Sequence, residues 1–395
     1  MEPIYITGAG VVSAIGLGKE ATLAALLSGR TGIGEMRYLD SCHHELPVGE
    51  VPMSRNDLLH ALTLSDDPSL TRNALIGRLA LREALNEAHL TADKLNKVHF
   101  ISATTVGGMD QRERFHDQES DCDSVYAQIA THHCGNCTEM IAEPFGRFAM
   151  LSTVSTACSS ATNAIITAAN MLRCGLADIV VAGGAECLTR FHLNGFNALM
   201  ILDHEQCRPF DRDRAGLNLG EGAAYMVLEN ERSVKQRGVT PLARLSGYGN
   251  ACDAFHQTAS SPDGDGAYRA MQEALMTAQL APADIDYINA HGTGTINNDA
   301  SENHAIRRLF GTQLPPVSST KSFTGHTTSA SGSIEAVICL LALQHQFLPP
   351  NINWHTPMDD GITPVTDIHP LRRLRHILSN AFGFGGNDSA IILSA

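Results

Sequence analysis

Positive charge is in short supply in this 395-residue chain: 28 Lys and Arg stand against 42 Asp and Glu, a formal net charge of -14. That sign excludes a surface built to grip nucleic-acid phosphates and leaves room only for a local basic patch. Long hydrophobic runs are absent too; nothing approaches the roughly 18 to 20 apolar residues of a transmembrane helix, so no membrane span is expected. Met1 to Gly10 (MEPIYITGAG) has neither the basic stretch nor the apolar core of a secretory leader. Ten cysteines are scattered along the chain, and without a leader they read as reduced thiols of a cytoplasmic protein. The 34 Gly and 16 Pro follow no Gly-X-Y period, which removes fibrous and low-complexity architectures. What is present, 43% hydrophobic and 18% charged residues, suffices for a large core in two domains or two similar halves.

Ile4 to Thr7 reads as a strand, Gly8 and Gly10 as a tight turn, and Glu20 to Leu27 as a helix. The glycines resemble a dinucleotide fingerprint only superficially, because Ser13 replaces its third glycine and no acid marks a second strand. Helical spacing over Leu75 to Ala88 precedes a buried strand at Val98 to Ala103. Asp110 to Cys137 is polar and weakly periodic, which predicts a long functional loop or an insertion at a subunit boundary. A strand (Leu151 to Thr156), a helix (Cys158 to Arg173) and a strand (Asp178 to Gly183) follow. A comparable unit recurs later: a strand at Pro316 to Thr320, a bend through Gly332, and a helix carrying Ala336, Val337, Leu340 and Leu343. This alternation predicts an α/β architecture with two similar halves, 1–235 and 236–395, meeting in the polar stretch Glu231 to Thr240.

Cys158, in Ser155-Thr156-Ala157-Cys158-Ser159-Ser160, lies where a strand meets a helix. The helix N-terminus there is expected to favour the thiolate and lower its pKa; the competing reading is a small core-filling cysteine. His291, in Asn289-Ala290-His291-Gly292-Thr293-Gly294-Thr295, and His326, in Lys321-Ser322-Phe323-Thr324-Gly325-His326, both read as ending strands among small residues, where α/β sheets build sites. Phe382-Gly383-Phe384-Gly385-Gly386 precedes the last strand and offers backbone N–H groups and aromatic rings to a ligand. His132-His133-Cys134-Gly135-Asn136-Cys137 lacks a second ligand pair, so neither zinc nor any other metal is expected. Arg208, Arg212 and Arg214 with Asp211 and Asp213 read as a solvated ion-pair cluster.

Taken together, Thr156 to Ser160, Asn289 to Thr295, Lys321 to His326 and Gly383 to Gly386 resemble the elongating β-ketoacyl-acyl-carrier-protein synthases of the thiolase superfamily. Pro209-Phe210-Asp211, Arg214, Gly216, Gly220 to Ala223 and Gly183 to Glu186 fit as well, so the likeness spans nearly the whole chain. The resemblance implies a thiolase fold, two duplicated halves in a five-layer α-β-α-β-α arrangement, assembled as a homodimer or as a heterodimer with a related ketosynthase or chain-length factor. It implies Cys158 as nucleophile, His291 and His326 as the pair assisting decarboxylation of a malonyl thioester, and Lys321 supporting His326. It also implies an oxyanion hole at the N–H groups of Cys158 and Phe384, with Phe384 as gate. Thr258, Thr293 and Thr295 match contacts to the pantetheine arm; Phe382, Gly385 and Gly386 belong to the same substrate-binding loop, and Glu335 is a supporting carboxylate. No cofactor is implied beyond the phosphopantetheine arm carried by the partner, an acyl carrier protein.

Departures from the family mark this chain. Asn387-Asp388 replaces the family's usual Thr-Asn after the paired glycines, and Ala161 stands where Gly is common after the nucleophile. In the loop that normally floors the acyl pocket at the family's dimer interface, Met109-Asp110-Gln111-Arg112 is more polar than a saturated fatty chain would want. Met200 stands where fatty-acid enzymes often carry an Arg, and Arg214 to Gly220 looks closer to specialised ketosynthases such as those of aryl polyene pathways. Arg72 and Arg372-Arg373-Arg375 are the candidate docking cations for an acidic carrier. Rival readings are a thiolase, which would want a second cysteine in the C-terminal glycine loop, a Cys-His hydrolase, and a tunnel-shaping chain-length partner, which would lack the nucleophile.

Overall fold

In the computed structural model, which describes residues 2–65, 67, 69–115, 131–368 and 373–395, the glycines near the N-terminus lie inside a strand. The strands are β1 (Ile4–Ser13), β2 (Gly16–Leu17), β3 (Val98–Ala103), β4 (Met150–Val154), β5 (Ile179–Glu186), β6 (Gly222–Asn230), β7 (Ala243–Cys252), β8 (Tyr287–Asn289), β9 (Val317–Ser318), β10 (His376–Gly383) and β11 (Asn387–Ser394). Five helices set the layers: α1 (Arg72–Glu87), α2 (Ser160–Arg173), α3 (Asp265–Ala278), α4 (Ile296–Phe310) and α5 (Ser331–His345).

The expected turn at Gly8 and Gly10 is therefore a correction. A Cβ on Gly8 would lie 2.5 Å from the Ala84 carbonyl oxygen, and one on Gly10 would overlap that of Ala80. The glycines let β1 press directly against α1. Carboxylates of α1 then take backbone N–H groups: Glu87 accepts from Ala9 at 2.8 Å, and Glu83 from Val11 and Lys19 at 2.9 Å each.

The strands form one sheet ordered β4-β3-β5-β6-β1-β7-β11-β10-β8-β9, with β2 hairpinned onto β1. Its two halves repeat. Counted within each half and leaving out the short β2, the first strand pairs antiparallel with the fifth (β1 with β6, β7 with β11) and the fifth antiparallel with the fourth (β6 with β5, β11 with β10). The remaining neighbours, β3 with β5 and β4, and β8 with β10 and β9, are parallel in both. The halves join where Ile4 to Ile6 of β1 meet Ala243 to Leu245 of β7.

Three apolar clusters correspond to three helical layers around two sheet layers. One packs α1 and the helix Cys134–Ala142 against the first half through Leu75, Ile141, Phe100 and Tyr225. The central one wraps α2 and α5 between both halves through Ile165, Val337, Ile6 and Ile391. The third packs α3 and α4 on the second half through Met271, Ile306, Ile288 and Ile392. Consecutive residues Ile391 and Ile392 of β11 enter different layers, as period-two alternation requires. Every residue of α5 from Ser331 to Leu343 is buried, the pattern of a helix enclosed on all sides.

The polar stretch 110–137 is not one long loop: Met109–Phe115 and Cys134–Ala142 are helices, and 116–130 lies outside the described residues. The stretch between the halves is also helical, Glu231–Arg237, started by Asn230 accepting the Ser233 N–H and ended by Gly238 at φ 63°. No helix among the described residues is long and apolar enough to cross a membrane.

Candidate active site

Cys158 sits on a sharp turn between β4 and α2, preceded by Ala157 in the left-handed region at φ 53°. Gly383, at the end of β10, packs against this turn; a Cβ there would lie 3.1 Å from Cys158 N. α2 itself begins at Ser160. The expected lowering of the thiol pKa is not what the structure gives: burial pushes the Cys158 thiol up to about 11, against Lys321 and the N–H groups of Phe384 and Cys158, which pull it down. Desolvation outweighs the helix terminus because the sulfur is buried, only 5% exposed, at the bottom of the site.

His326 Nε2 lies 3.1 Å from Cys158 Sγ, and its Nδ1 is 3.0 Å from Ser331 Oγ. His291 crosses it edge to face, ring centroids 5.3 Å apart. Lys321 Nζ donates to His291 O at 2.5 Å and to Glu335 Oε1 at 2.5 Å, and stands 3.2 Å from His291 Nδ1. Of the two imidazoles, then, it is His291 that Lys321 touches directly. Burial first, then Lys321, holds both imidazoles well below their usual pKa, so both are neutral. Burial pushes Glu335 up to about 7, with Lys321 opposing. Only His291 follows a strand, β8; His326 follows the short helix Lys321–Thr324, and neither ring is solvent-exposed.

A cavity of about 230 Å³ opens above these groups. Cys158, His291 and His326 line it, as do Thr258, Thr293, Thr295, Phe382, Phe384, Gly385 and Gly386. Thr293 and Thr295 join their hydroxyls at 2.9 Å, whereas Thr258 sits exposed at the rim. Phe384 stacks on Phe196 with centroids 5.8 Å apart. Gly385 and Gly386 adopt φ 82° and 74°, a conformation costly for other residues. Met200, 88% exposed, and Ile296 form apolar parts of the cavity lining.

Some sequence candidates fall elsewhere. Arg72 is 9% exposed and bound to Glu221, Val51 O and Met53 O, so it is a buried structural pair and not a docking cation. Arg375 precedes β10, whose far end carries Phe382, about 23 Å away at roughly 3.3 Å per residue; Arg372 lies outside the described residues. Met109 to Arg112 do not line the cavity: Asp110 accepts the Arg72 N–H at 2.7 Å and Gln111 donates to Leu70 O at 2.7 Å. Within the arginine cluster Arg212 and Asp213 are exposed and Arg208 is half-buried beside an exposed Glu205; the Arg214 side chain is largely covered, 3.7 Å from Asp299 and bonded to the carbonyls of Asp211 and Ile296. Cys137 is sealed in the outer core, and no metal-binding cluster is found among the described residues.

Two site residues escaped sequence reasoning. Glu302 of α4 accepts the His291 and Gly292 N–H groups at 2.9 and 2.7 Å, fixing the turn that presents His291. Ser331 holds the far nitrogen of His326. Neither carries a local signal beyond lying within eleven residues of its histidine.

Comparison with known proteins agrees with this geometry. The β-ketoacyl synthase N-terminal domain family matches residues 1–233 and the C-terminal domain family residues 242–355. Nodulation protein E of Rhizobium meliloti is 33% identical over 98% of each chain. The 3-oxoacyl-acyl-carrier-protein synthase 2 of Vibrio cholerae is 32% identical, again over 98% of each. Among solved structures, the ishigamide ketosynthase/chain length factor superposes with a TM-score of 0.92 at 30% identity, covering 100% of this chain and 99% of that one. With both domain families in register, a duplicated sheet and the Cys158–His326 pair at its centre, the chain belongs to the β-ketoacyl synthase family.

Proposed function

We propose that the protein catalyses a decarboxylative Claisen condensation, moving an acyl group from a carrier-protein thioester onto Cys158 and joining it to malonyl carrier protein to give a β-ketoacyl carrier protein. The observation that carries this reading is Cys158 Sγ lying 3.1 Å from His326 Nε2, with His291 beside it under one cavity.

A buried thiol with a pKa of about 11 needs a base, and a neutral imidazole in contact with it is one. The proton passes from Sγ to Nε2 as sulfur attacks the thioester carbonyl. The N–H groups of Cys158 and Phe384, which already point at the sulfur, receive the oxyanion, and the carrier thiol leaves with the proton from His326. In the second half-reaction the malonyl carbonyl oxygen lies between the two imidazoles. Breaking the bond to carbon dioxide leaves its electron pair in an enolate, whose carbon attacks the acyl group and releases Cys158. Lys321 donating to Nδ1 keeps the His291 proton on Nε2, aimed at the enolate oxygen. Ser331 can donate or accept, so His326 can accept a proton in the first step and donate a hydrogen bond in the second. Each such donor is worth about 3 kcal/mol.

Thr293 and Thr295, with Thr258 at the rim, are read as contacts for the pantetheine arm, Phe382, Gly385 and Gly386 as its neighbours, Phe384 as the gate and Glu335 as support for Lys321. The chain's own side chains supply the chemistry without metal or flavin. The compartment is the cytoplasm, where free thiols such as Cys42 and Cys174 stay reduced. β4 ends the sheet, and Leu151 on it is 39% exposed; an open edge of this kind suits pairing with a second subunit, either a copy or a related ketosynthase or chain-length factor. The two halves are taken as 1–235 and 236–395. A chain-length partner role is disfavoured by the complete set of Cys158, His291, His326 and Lys321. Incubation with acyl carrier and isotope-labelled malonyl carrier tests the reading: label appears in a β-ketoacyl carrier product, and its absence despite release of the free acyl acid would mark a hydrolase instead.

A further inference from the structure

The glycine loop is held from outside by the segment after β7. Asp253 N–H donates to Gly386 O at 2.8 Å, and Gly385 N–H donates to Gln257 O at 2.8 Å. The Asp253 carboxylate accepts the Ser261 N–H at 2.7 Å and the Gly266 N–H at 3.3 Å. Asp388 of β11 is buried in the same corner. A methyl group on Gly266 would overlap Asp388 Oδ2 and lie 2.7 Å from Asp253 Cβ, so the two acids meet across this glycine. The other charges facing Asp388 are Glu302 from α4 and Arg269 from α3; Arg269 is itself bonded to Cys252 O and Asp265. Burial, then Asp253 and Glu302, push the Asp388 carboxyl up to about 8.

We propose that Asp388 is a positioning residue acting as a neutral acid: protonated, it takes the place of the amide usual in this family and lets the Asp253 segment close on the glycine loop; ionised, it repels that segment. The push reaches the site by two routes. Asp253 holds the loop whose Phe384 N–H faces Cys158, and Glu302 holds the turn that presents His291. Both are bonded through backbone, so a charge at Asp388 displaces the oxyanion donor and the imidazole without touching substrate. An asparagine at 388 has no proton to lose and leaves both in place at any pH.

The test compares wild type with Asp388→Asn in the rate of acyl transfer to Cys158 from about pH 6.5 to about 9.5. If only the protonated form is competent, the variant-to-wild-type ratio rises through a midpoint near 8 and reaches about tenfold one unit above it; a ratio independent of pH overturns the proposal. This arm rests on the condensation reading. A second arm does not: infrared difference spectra between wild type and Asp388→Asn at neutral pH show a protonated carboxyl stretch in the wild type that disappears with the same midpoint. Its absence at neutral pH overturns the proposal whatever reaction the enzyme performs. Should Asp388→Asn not fold, the wild-type band is followed against Asp253→Asn, which moves the midpoint to lower pH; an unmoved midpoint overturns the pairing of the two acids.

Discussion

α2 and α5 occupy matching places in the two halves, yet only one is headed by a thiol set against an imidazole. Each is preceded, three residues before its first, by a non-glycine in the left-handed region: Ala157 at φ 53° and Thr328 at φ 43°. The next residue is Cys158 in one half and Ser329 in the other, both buried. Their helices touch at the start, where a Cβ on Gly332 would overlap Thr162 Oγ1. Cys158 Sγ has His326 Nε2 beside it, whereas Ser329 Oγ has no partner among the described residues. The same backbone elbow thus presents two side chains with different neighbours, and on the proposed function those neighbours decide which one reacts.

The outer layers repeat the lesson. Gly8 and Gly10 of β1 press on Ala84 and Ala80 of α1, and Gly247 and Gly249 of β7 press on Ala274 and Ala270 of α3. Even the carboxylate brace recurs: Glu83 accepts the Val11 N–H and Glu273 the Asn250 N–H, each one residue beyond the second glycine. Packing was kept in both halves, while the chemistry was divided, with the sulfur in the first and the imidazoles in the second.

The largest effect that would break the comparison of elbows comes from alanine at each. Cys158→Ala abolishes the acyl-enzyme seen by intact-protein mass spectrometry, while Ser329→Ala leaves it formed and stabilises the fold by about 1 kcal/mol, because it removes a buried unpaired hydroxyl. Next, His291→Ala and His326→Ala each lower carbon dioxide release from malonyl carrier by about 10²- to 10³-fold; normal release in both would remove the paired-donor mechanism. Alkylation of Cys158 by iodoacetamide, followed by peptide mass, keeps rising with pH toward the thiol's value of about 11. A plateau by neutral pH would mean that the helix terminus, and not burial, governs the thiol. Smallest are the strand glycines: Gly10→Ala and Gly249→Ala each cost about 1 to 3 kcal/mol in urea denaturation, and a large difference between them would show that the two braces are not equivalent.

Much of this was legible in the sequence, for a physical reason. Cys158, His291 and His326 sit in short runs of Gly, Ser and Thr where strands or helices end, and such runs exist because backbone must come close to a ligand or to another strand. What was not legible depends on distant chain. Gly8 and Gly10 looked like a turn because nothing local reveals a helix pressed against them. The thiol's pKa was expected to fall because the helix terminus is a local feature, while the burial that raises it is assembled from both halves. Arg72 looked like a free cation because Glu221, which neutralises it, lies 149 residues away. The polarity of residues 109–112 looked out of place because the backbone groups that bind Asp110 and Gln111 belong to residues 70–72.

The central claim is that one elbow of a duplicated pair reacts because His326 lies against its sulfur. Incubating the protein with an acyl thioester, digesting it and locating the added acyl mass tests this directly: the adduct falls on the peptide containing Cys158 and forms far more slowly in His326→Ala. An adduct on Ser329 or on another cysteine, or one on Cys158 whose rate is indifferent to His326, would contradict it.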